Sequence, residues 1–461
     1  MGRLFGTNGV RGIANVELTP ELAYRLGRSV ASWLEPGSTV AVARDARTSG
    51  PMLEAAVTGG LLASGARVVR LGITPTPAAQ YFVKTHEAVR AAIVVTASHN
   101  PPEFNGLKLV AGDGTEASRL EEEAVESLYF ANRFRSTPWD ALQPVDEDGS
   151  ANEVYIQAIL ARLDGAAISA RRPHVVVDAG GGPSALTTLP LLRQLGCEVT
   201  PLFEELDGAF RGRNSEPTAD NLTKLIETVR RTKADLGLAH DGDADRCIFV
   251  DETGRWIPGD LSLALLARDA VRRARGGIVC TPVATSSVLE DAVREAGGRV
   301  QWTAVGSPIV ARAMMESKAL IGGEENGGVI FPELQHCRDG AMTAAKMIEL
   351  LARERKSLST LVAELPKYHV VKLKFPVPSA AKDALLGRLR EWVTGEFPKA
   401  RIDTTDGLKV YTSEGWVLIR ASGTEPIFRV FAESKDAAAA AKLAERLVEA
   451  GRTLAAPVRS R

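Results

Sequence analysis

Three aspartates at alternate positions in the segment DGDADR, which we name the metal loop, are suited to hold a cation: Asp241, Asp243 and Asp245. In a looped backbone this spacing can turn three carboxylates toward one point, where their repulsion requires a cation. Ligands that are all oxygen atoms favour Mg²⁺. An EF-hand competes because Glu252 falls at position 12 of such a loop, but position 6 is Arg246 instead of glycine and strands are predicted on both sides. A solvated acidic turn is the other alternative.

A serine beside a histidine is the second group that could do chemistry. Ser98 and His99 lie in the segment TASHNPP, which we name the serine loop. A serine becomes a nucleophile when a base, a lowered pKa or a metal activates it. Considered alone, Ser and Asn before Pro are ordinary turn residues, and a single His is more often a hydrogen-bonded polar residue than a catalyst. The nucleophile interpretation therefore depends on where this loop lies relative to the aspartates.

Two further polar loops carry groups that bind hydroxyls or phosphates. In GGEENGG, the sugar loop, Glu324 and Asn326 can hydrogen-bond pairs of sugar hydroxyls, although glycine-rich polar loops are common. In RASGTEP, the phosphate loop, backbone N–H groups and guanidinium groups form a phosphate cradle, and a plain turn is an equal alternative. The residues of this cradle are Arg420, Ser422, Gly423, Thr424 and Arg429.

Arginines also occur in two glycine-containing turns near strand-like segments. Arg11 lies in FGTNGVRG, and Arg44 and Arg47 lie in ARDARTSG. They could supply positive charge to an anion, and ordinary surface arginines are the alternative. The triple glycine in VVVDAGGGPSAL lacks the GxGxxG spacing, so a dinucleotide site is not expected there.

A pattern of strand-like and helix-like segments repeats three times and positions these loops. An apolar, β-rich run opens each copy, at 39–45, 174–180 and 277–283, and a second run follows. The third run of each copy leads into the serine, metal or sugar loop, and a further strand-like run comes next. Because α/β folds hold ligands at the carboxyl ends of parallel strands, the repeat predicts that the three loops form one site.

The predicted fold is α/β, with three similar mixed domains of repeated parallel βα units. The C-terminal segment departs from this pattern and predicts an α+β domain with an antiparallel sheet and a long amphipathic helix. The length of 461 residues also favours several domains. The predicted domains are 1–150 with the serine loop, 151–253 with the metal loop, 254–366 with the sugar loop and 367–461 with the phosphate loop.

Composition excludes some function classes. The 56 basic and 57 acidic residues leave a net charge of -1, so no overall field favours nucleic acid or membrane lipid. The N-terminal segment lacks the apolar core of a signal peptide, and no apolar run reaches the roughly 20 residues that a membrane helix needs. The four cysteines stand singly, which favours reduced, packed thiols in a cytoplasmic protein.

The four motifs TASHNP, DGDADR, GEENGG and RASGTEP, in this order, resemble the α-D-phosphohexomutase superfamily, and most closely the archaeal-type phosphoglucosamine mutases. The resemblance covers essentially the whole chain and implies four domains around a central cleft. It implies that Ser98 is phosphorylated, that the three aspartates and Ser98 bind one Mg²⁺, and that Arg246 contacts the phosphoserine. Arg11 and Lys108 match residues implicated in proton transfer, and His99 is a further candidate. Glu324 and Asn326 fall on the family's sugar-recognition loop, and the cradle residues on its phosphate-binding loop.

The implied activity is the interconversion of a hexose 6-phosphate and a hexose 1-phosphate through phosphoserine and a hexose 1,6-bisphosphate. Glucosamine phosphate is the favoured sugar, and mannose or glucose phosphate is the alternative. The sugar loop departs from the common bacterial pattern, because Asn326 and Gly328 stand where serine and histidine are usual. A metal-dependent sugar phosphatase and a non-catalytic sugar-phosphate sensor are less favoured, since neither needs a nucleophile, a metal triad and a distal cradle together. A monomer or homodimer is expected.

Overall fold

Three successive βα units followed by an antiparallel sheet make up the chain in a computed structural model, which describes residues 4–6, 8–423 and 426–455. The predicted fold class is confirmed. The four sheets follow one another in the order of the four predicted domains, whose boundaries we keep as a proposal. The strand at Trp256–Ile257 pairs with the second sheet, although it lies just past the predicted boundary at 253. Among the described residues, no helix combines the length and apolarity needed to cross a lipid bilayer.

The first unit has a six-stranded sheet in the order β1-β5-β4-β2-β3-β6. Strands β2, β3, β4 and β6 run parallel, and β5 returns antiparallel to β4 and β1. Its elements are β1 (Val10–Ile13), α1 (Pro20–Trp33), β2 (Thr39–Arg44), α2 (Gly50–Ala63), β3 (Arg67–Ile73), α3 (Thr76–Thr85), β4 (Val89–Val95), β5 (Phe104–Ala111), α4 (Arg119–Phe130) and β6 (Val145–Glu147).

The second unit repeats this arrangement with the sheet order β11-β10-β9-β7-β8. The metal loop joins the parallel strand β9 to the antiparallel strand β10. Its elements are α5 (Ala151–Leu160), α6 (Gly165–Arg171), β7 (His174–Asp178), α7 (Thr188–Gln194), β8 (Glu198–Leu202), α8 (Thr223–Thr232), β9 (Leu236–His240), β10 (Cys247–Asp251) and β11 (Trp256–Ile257).

The third unit is the smallest of the repeats, with the sheet order β13-β12-β14-β15. The sugar loop joins β14 to the antiparallel strand β15. Its elements are α9 (Gly259–Ala274), β12 (Ile278–Pro282), α10 (Ser287–Glu295), β13 (Arg299–Thr303), α11 (Ser307–Ser317), β14 (Ile321–Gly323), β15 (Val329–Ile330), α12 (Gly340–Glu354) and α13 (Leu358–Ala363).

The C-terminal unit is an antiparallel sheet in the order β16-β20-β19-β18-β17, packed against the predicted long helix. The phosphate loop joins β19 to β20. Its elements are β16 (His369–Pro376), α14 (Lys382–Glu396), β17 (Arg401–Asp403), β18 (Leu408–Tyr411), β19 (Trp416–Ala421), β20 (Ile427–Ser434) and α15 (Ala437–Ala455).

Buried parallel strands explain why the apolar runs are nearly continuous. In β4, Ala91, Ile93 and Val95 pack into one cluster and Ala92 and Val94 into another, because successive side chains point to opposite faces of a sheet that is covered on both. Each large aliphatic side chain buried in this way contributes about 1.5–3 kcal/mol. Each polar loop begins where one of these strands ends. The buried strand therefore fixes the position of the first residue of its loop.

Candidate active site

The serine loop starts immediately after β4 and holds Ser98 in an unusual backbone conformation. Ser98 is fully buried and has a φ of 51°, in the left-handed region that residues other than glycine seldom adopt. Its N–H donates to Thr96 Oγ1 at 2.9 Å. Its hydroxyl donates to Asp241 Oδ2 at 2.6 Å, and this bond joins the first unit to the second. The predicted nucleophile and one predicted metal ligand are therefore in direct contact.

The side chain of Arg47 supports the serine loop through hydrogen bonds. Its side chain is completely buried, so the surface alternative for this arginine is wrong. Asp45 Oδ2 accepts a hydrogen bond from Arg47 Nε at 3.1 Å and another from the Thr96 hydroxyl at 2.6 Å. The guanidinium donates to three carbonyl oxygens of the loop and to one at the start of β5: those of Ser98 at 2.9 Å, Asn100 at 2.6 Å, Pro101 at 2.6 Å and Phe104 at 2.9 Å. The contrasting Arg44 is partly exposed and pairs with Glu54 at 3.0 Å.

The three aspartates of the metal loop converge as their spacing predicts. One carboxylate oxygen from each of Asp241, Asp243 and Asp245 lies within 4.8 Å of the others, and all three residues are buried. Oδ1 of Asp243 and Oδ1 of Asp245 have no hydrogen-bond partner among the described residues. Burial, and then repulsion from the other two aspartates, raises the pKa of Asp241 to about 7. Buried, unpaired carboxylate oxygens at this distance fit a divalent cation with oxygen ligands.

Positive side chains surround this acidic cluster. Lys108 Nζ lies 2.6 Å from Asp243 Oδ2 and 3.2 Å from Asp245 Oδ2. Burial acts to lower the pKa of Lys108, but the two aspartates outweigh it and the pKa is raised, so Lys108 is charged. Arg246 Nε lies 3.7 Å from Asp241 Oδ2 and 3.8 Å from Asp245 Oδ1. A phosphoryl group beside the triad would thus meet several cations.

His99 and Arg11 lie beside the serine. His99 Nδ1 is 3.4 Å from Ser98 Oγ and 3.2 Å from Arg246 Nη2. The charge of Arg246, followed by burial, lowers the pKa of His99 to about 2, so its imidazole is neutral at physiological pH. Arg11, on β1, donates from Nη1 to Asn100 Oδ1 at 2.8 Å, and burial lowers its pKa.

The sugar loop meets the metal loop through an arginine that was not predicted. Glu324 is buried, which raises its pKa, and its Oε2 accepts from Arg338 Nη1 at 3.1 Å. Arg338 Nη2 donates to Asp245 Oδ2 at 2.6 Å. Asn326 instead turns back on its own loop, where its Oδ1 accepts the Gly328 N–H at 3.1 Å. Arg338 stands in the segment QHCRDG without a distinctive motif, and its position directly before Asp339, which caps α12, is the only local signal.

Two arginines of the phosphate-loop region occupy paired positions on the C-terminal sheet. Arg420 and Arg429 are directly opposite each other on β19 and β20, and an anion stabilises such a like-charged pair. Arg420 Nε also pairs with Asp406 at 3.0 Å. The Ser422 N–H donates to the Ile427 carbonyl at 3.0 Å, beside Gly423. Thr424, also predicted for this cradle, lies outside the described residues.

Comparison with known proteins identifies the family that the four units match. Four domain models of phosphoglucomutase/phosphomannomutase match successive parts of the chain: α/β/α domain I at residues 2–136, α/β/α domain II at 153–254, α/β/α domain III at 258–368 and the C-terminal domain at 352–450.

Full-length relatives match as well. A phosphoglucomutase/phosphomannomutase of Thermococcus kodakarensis is 46% identical over 94% of this chain and 95% of its own length. A phosphoglucosamine/phosphogalactosamine mutase of Sulfurisphaera tokodaii is 41% identical over 97% of this chain and 98% of its own. Among solved structures, a phosphoglucomutase/phosphomannomutase family protein from Burkholderia thailandensis superposes with a TM-score of 0.87 at 30% identity, covering 98% of this chain and 97% of that one.

Proposed function

Because the chain belongs to the phosphoglucomutase/phosphomannomutase family of phosphohexose isomerases, we propose that it interconverts glucosamine 6-phosphate and glucosamine 1-phosphate through a phosphorylated Ser98. The observation that carries this proposal is the contact between Ser98 Oγ and Asp241 Oδ2 at 2.6 Å, inside a buried cluster of acidic and basic groups. This contact brings a nucleophile to a site suited to a cation and to phosphoryl oxygens.

The metal loop and Ser98 are the groups that would hold one Mg²⁺. A bound Mg²⁺ would supply positive charge that stabilises the oxygens of the transferring phosphoryl group. Lys108 and Arg246 add fixed positive charge at the same point, and they are held in place by the aspartates that they contact. These contacts orient the cations before substrate binds, so little reorganisation is needed during the reaction.

Phosphoryl transfer in the first half-reaction runs from Ser98 to the free hydroxyl of a hexose monophosphate. A new O–P bond forms at the sugar, the Ser98 Oγ–P bond breaks, and the sugar hydroxyl gives up its proton. Ser98 Oγ gains a proton in exchange, and the resemblance assigns these proton transfers to Arg11 and Lys108. Because Lys108 is charged, it can give a proton to Ser98 Oγ, and Arg11, whose pKa is lowered by burial, is the candidate to accept the proton of the sugar hydroxyl. His99 is a weak base, since its pKa is lowered to about 2, and we assign it hydrogen bonding beside Ser98.

The hexose 1,6-bisphosphate formed in this way must turn end for end so that its other phosphate can return to Ser98. The phosphate loop would hold the non-reacting phosphate in both orientations, with Arg420 and Arg429 as its paired cations. Glu324 and Asn326 would bind hydroxyls in the middle of the sugar. A distal cradle of this kind serves a mutase and has no use in a simple phosphatase.

The preferred sugar has three candidates. The name of the Sulfurisphaera relative favours glucosamine phosphate, and the name of the Thermococcus relative favours glucose or mannose phosphate. Turnover of the 6-phosphates of all three sugars, each with Mg²⁺ and a trace of the matching 1,6-bisphosphate, decides between them. We expect the highest kcat/KM with glucosamine 6-phosphate, and a clear preference for mannose or glucose would overturn that choice.

Replacement of Ser98 tests the mechanism. Ser98→Ala removes the phosphoryl carrier, so we expect no measurable interconversion, and the mass increase of one phosphate on the purified wild-type protein should be absent from the variant. Ser379→Ala, at an exposed position in the C-terminal unit, is the matched control and should keep full activity. Substantial activity in Ser98→Ala would contradict the proposed phosphoserine.

A further inference from the structure

One guanidinium group links the metal loop to the sugar loop. Arg338 is only 5% exposed, and it donates to Asp245 at 2.6 Å from Nη2 and to Glu324 at 3.1 Å from Nη1. Its Nε–H has no acceptor among the described residues. Asp245 belongs to the carboxylate triad and Glu324 to the sugar loop, so a single rigid fork contacts both halves of the site.

The space for this arginine is provided by Gly328. A Cβ placed on Gly328 would lie 2.3 Å from Arg338 Cδ, too close for any side chain. The backbone of Gly328 does not have a positive φ, so glycine is required there by the contact and not by the backbone conformation. Gly328 and Arg338 therefore form a matched pair.

Backbone contacts join the same two loops. The Cys247 N–H, at the end of the metal loop, donates to the Gly327 carbonyl at 3.0 Å. The Gly340 N–H, at the start of α12, donates to the Ala244 carbonyl at 3.3 Å. A displacement of the metal loop is consequently passed to the segment that carries Arg338, and from there to Glu324.

We propose that Arg338 is a positioning residue that couples cation binding at the metal loop to sugar-phosphate binding at the sugar loop. The inference rests on the proposed function. Asp245 Oδ2 is shared between Arg338 and Lys108, and a cation at the triad competes for that carboxylate and repels the guanidinium. The guanidinium of Arg338 then interacts more strongly with Glu324. This interaction fixes the position of the Glu324 carboxylate and neutralises its charge at the place where the sugar hydroxyls bind. Each ligand therefore increases the affinity for the other, since coupling between two sites is reciprocal.

The experiment measures the dissociation constant of Mn²⁺ by electron paramagnetic resonance on the dephosphorylated full chain, without and with saturating glucosamine 6-phosphate. The ratio of the two constants is the coupling factor. For the wild type we expect a factor of about five or more, the lower end of usual couplings. In Arg338→Gln the factor should fall at least about threefold, and Arg338→Lys should restore part of it. The direct attraction between the Mn²⁺ and the phosphate of the sugar persists in every variant. The variants therefore lose only the part of the coupling factor that depends on the Arg338 guanidinium.

Two further variants separate coupling from folding. Gly328→Ala keeps the charge but pushes the Arg338 side chain away, and it should lower the factor in the same direction. Arg312→Gln is the matched control, because Arg312 donates to Asp113 at 2.9 Å and to Thr115 at 2.7 Å of the first unit, which lie outside both loops. Its factor should equal that of the wild type. If Arg338→Gln does not fold, Arg338→Lys and Gly328→Ala decide the question.

A coupling factor that is absent in the wild type, or equal in the wild type and the folded Arg338 and Gly328 variants, would overturn the inference. A failure of the proposed function is seen separately, because it would leave the wild type unable to interconvert any of the hexose phosphates. If a hexose phosphate other than glucosamine 6-phosphate is turned over, the same measurement is made with that sugar.

Discussion

The serine loop and the metal loop occupy equivalent places in successive units, but they are held in different ways. The serine loop is fixed within its own unit, because Arg47 donates to three of its carbonyl oxygens and to that of Phe104, where β5 begins. In the second unit the corresponding pair is Asp178 and Arg213, 2.8 Å apart. Arg213 donates to the Asn214 carbonyl at 2.7 Å and to the His240 carbonyl, directly before the metal loop, at 2.5 Å.

Further support of the metal loop comes from the first unit, where Lys108 and Thr76 contact Asp243, and from the third unit. Arg338 contacts Asp245, and the start of α12 packs on the loop so closely that a Cβ on Gly340 would lie 2.5 Å from the Ala244 carbonyl oxygen. The difference indicates separate requirements. A nucleophile in a strained conformation needs a rigid mount, whereas a cation site that is linked to sugar binding needs contact with the unit that binds the sugar.

Loss of the Arg47 fork should give the largest effect. Arg47→Lys keeps the charge but cannot donate to four carbonyl groups, so Ser98 moves from its reactive position. We expect kcat to fall about 100-fold with little change in KM, as misplacement by about 1 Å can cause. Steady-state kinetics at saturating Mg²⁺ measure this. Arg44→Lys, in the same turn, should stay within about twofold of the wild type, and retention of full activity by Arg47→Lys would show that the serine loop needs no such mount.

A smaller effect is expected in the second unit. Arg213→Lys removes one of several supports of the metal loop, so we expect a loss of about tenfold in activity at limiting Mg²⁺, mostly recovered at high Mg²⁺. The activation constant for Mg²⁺ is the measurement. Arg211→Lys, on a side chain that is 83% exposed, is the control. A loss of activity as large as that expected for Arg47→Lys would show that the metal loop depends on its arginine as strongly as the serine loop does.

In the third unit, a threonine hydroxyl takes the place of the arginine that supports the loop in the first two units. Thr281, near the end of β12, donates to the Gly323 carbonyl at 2.9 Å, inside the sugar loop and directly before Glu324. Thr281→Val leaves this buried carbonyl without that donor, which costs about 1 kcal/mol. We expect the midpoint of thermal unfolding to fall by about 3 °C, with kcat changed less than about threefold. Thr232→Val, where the hydroxyl bonds only to its own helix, should lower the midpoint less.

In the C-terminal unit, the comparable contact comes from a buried lysine that bonds to the third unit, and not from a residue that supports a loop. Lys409 Nζ donates to the Val283 carbonyl of the third unit at 2.6 Å and lies 4.8 Å from the ring centroid of Trp302 and 3.9 Å from that of Trp416. Burial lowers the pKa of Lys409 to about 8. In the unfolded chain the pKa of lysine is about 10.4.

The smallest expected effect is the pH dependence of this contact. Between pH 8 and 10 the unfolded chain binds more protons at Lys409 than the folded chain, so the wild type gains stability relative to Lys409→Met as pH rises. Below pH 8 the difference is constant. We expect the difference between the two midpoints of thermal unfolding to shift by about 2 °C toward the wild type from pH 7 to pH 10, and no shift would show that Lys409 keeps its ordinary pKa.

Much of the fold could be predicted from local patterns. The apolar runs, their turn residues and the change of pattern near the C-terminus predicted three βα units and an antiparallel sheet, and the structure confirms that fold class. The convergence of Asp241, Asp243 and Asp245 could be predicted too, because alternate residues of one short loop are close in space whatever the rest of the chain does.

Other features could not be predicted because they depend on residues far apart in the chain. Arg338 and Asp245 are separated by 93 positions, and no repeat or motif linked them. The meeting of Ser98 with Asp241, 143 positions apart, was predicted only because the repeated units place their loops at equivalent strand ends. Arg47 had no sign in its own segment that it would be buried beneath the serine loop, and the neutral state of His99 depends on Arg246 from another unit.

The amino-acid sequence by itself determined which groups are available and at which strand ends they lie, since periodicity and turn chemistry act over a few neighbouring residues. Only the tertiary structure decided which cation faces which carboxylate, which arginine is buried and which imidazole is neutral. The physical reason is that Coulomb interactions and desolvation depend on distance and burial in space, and the packing of one unit against the next sets both.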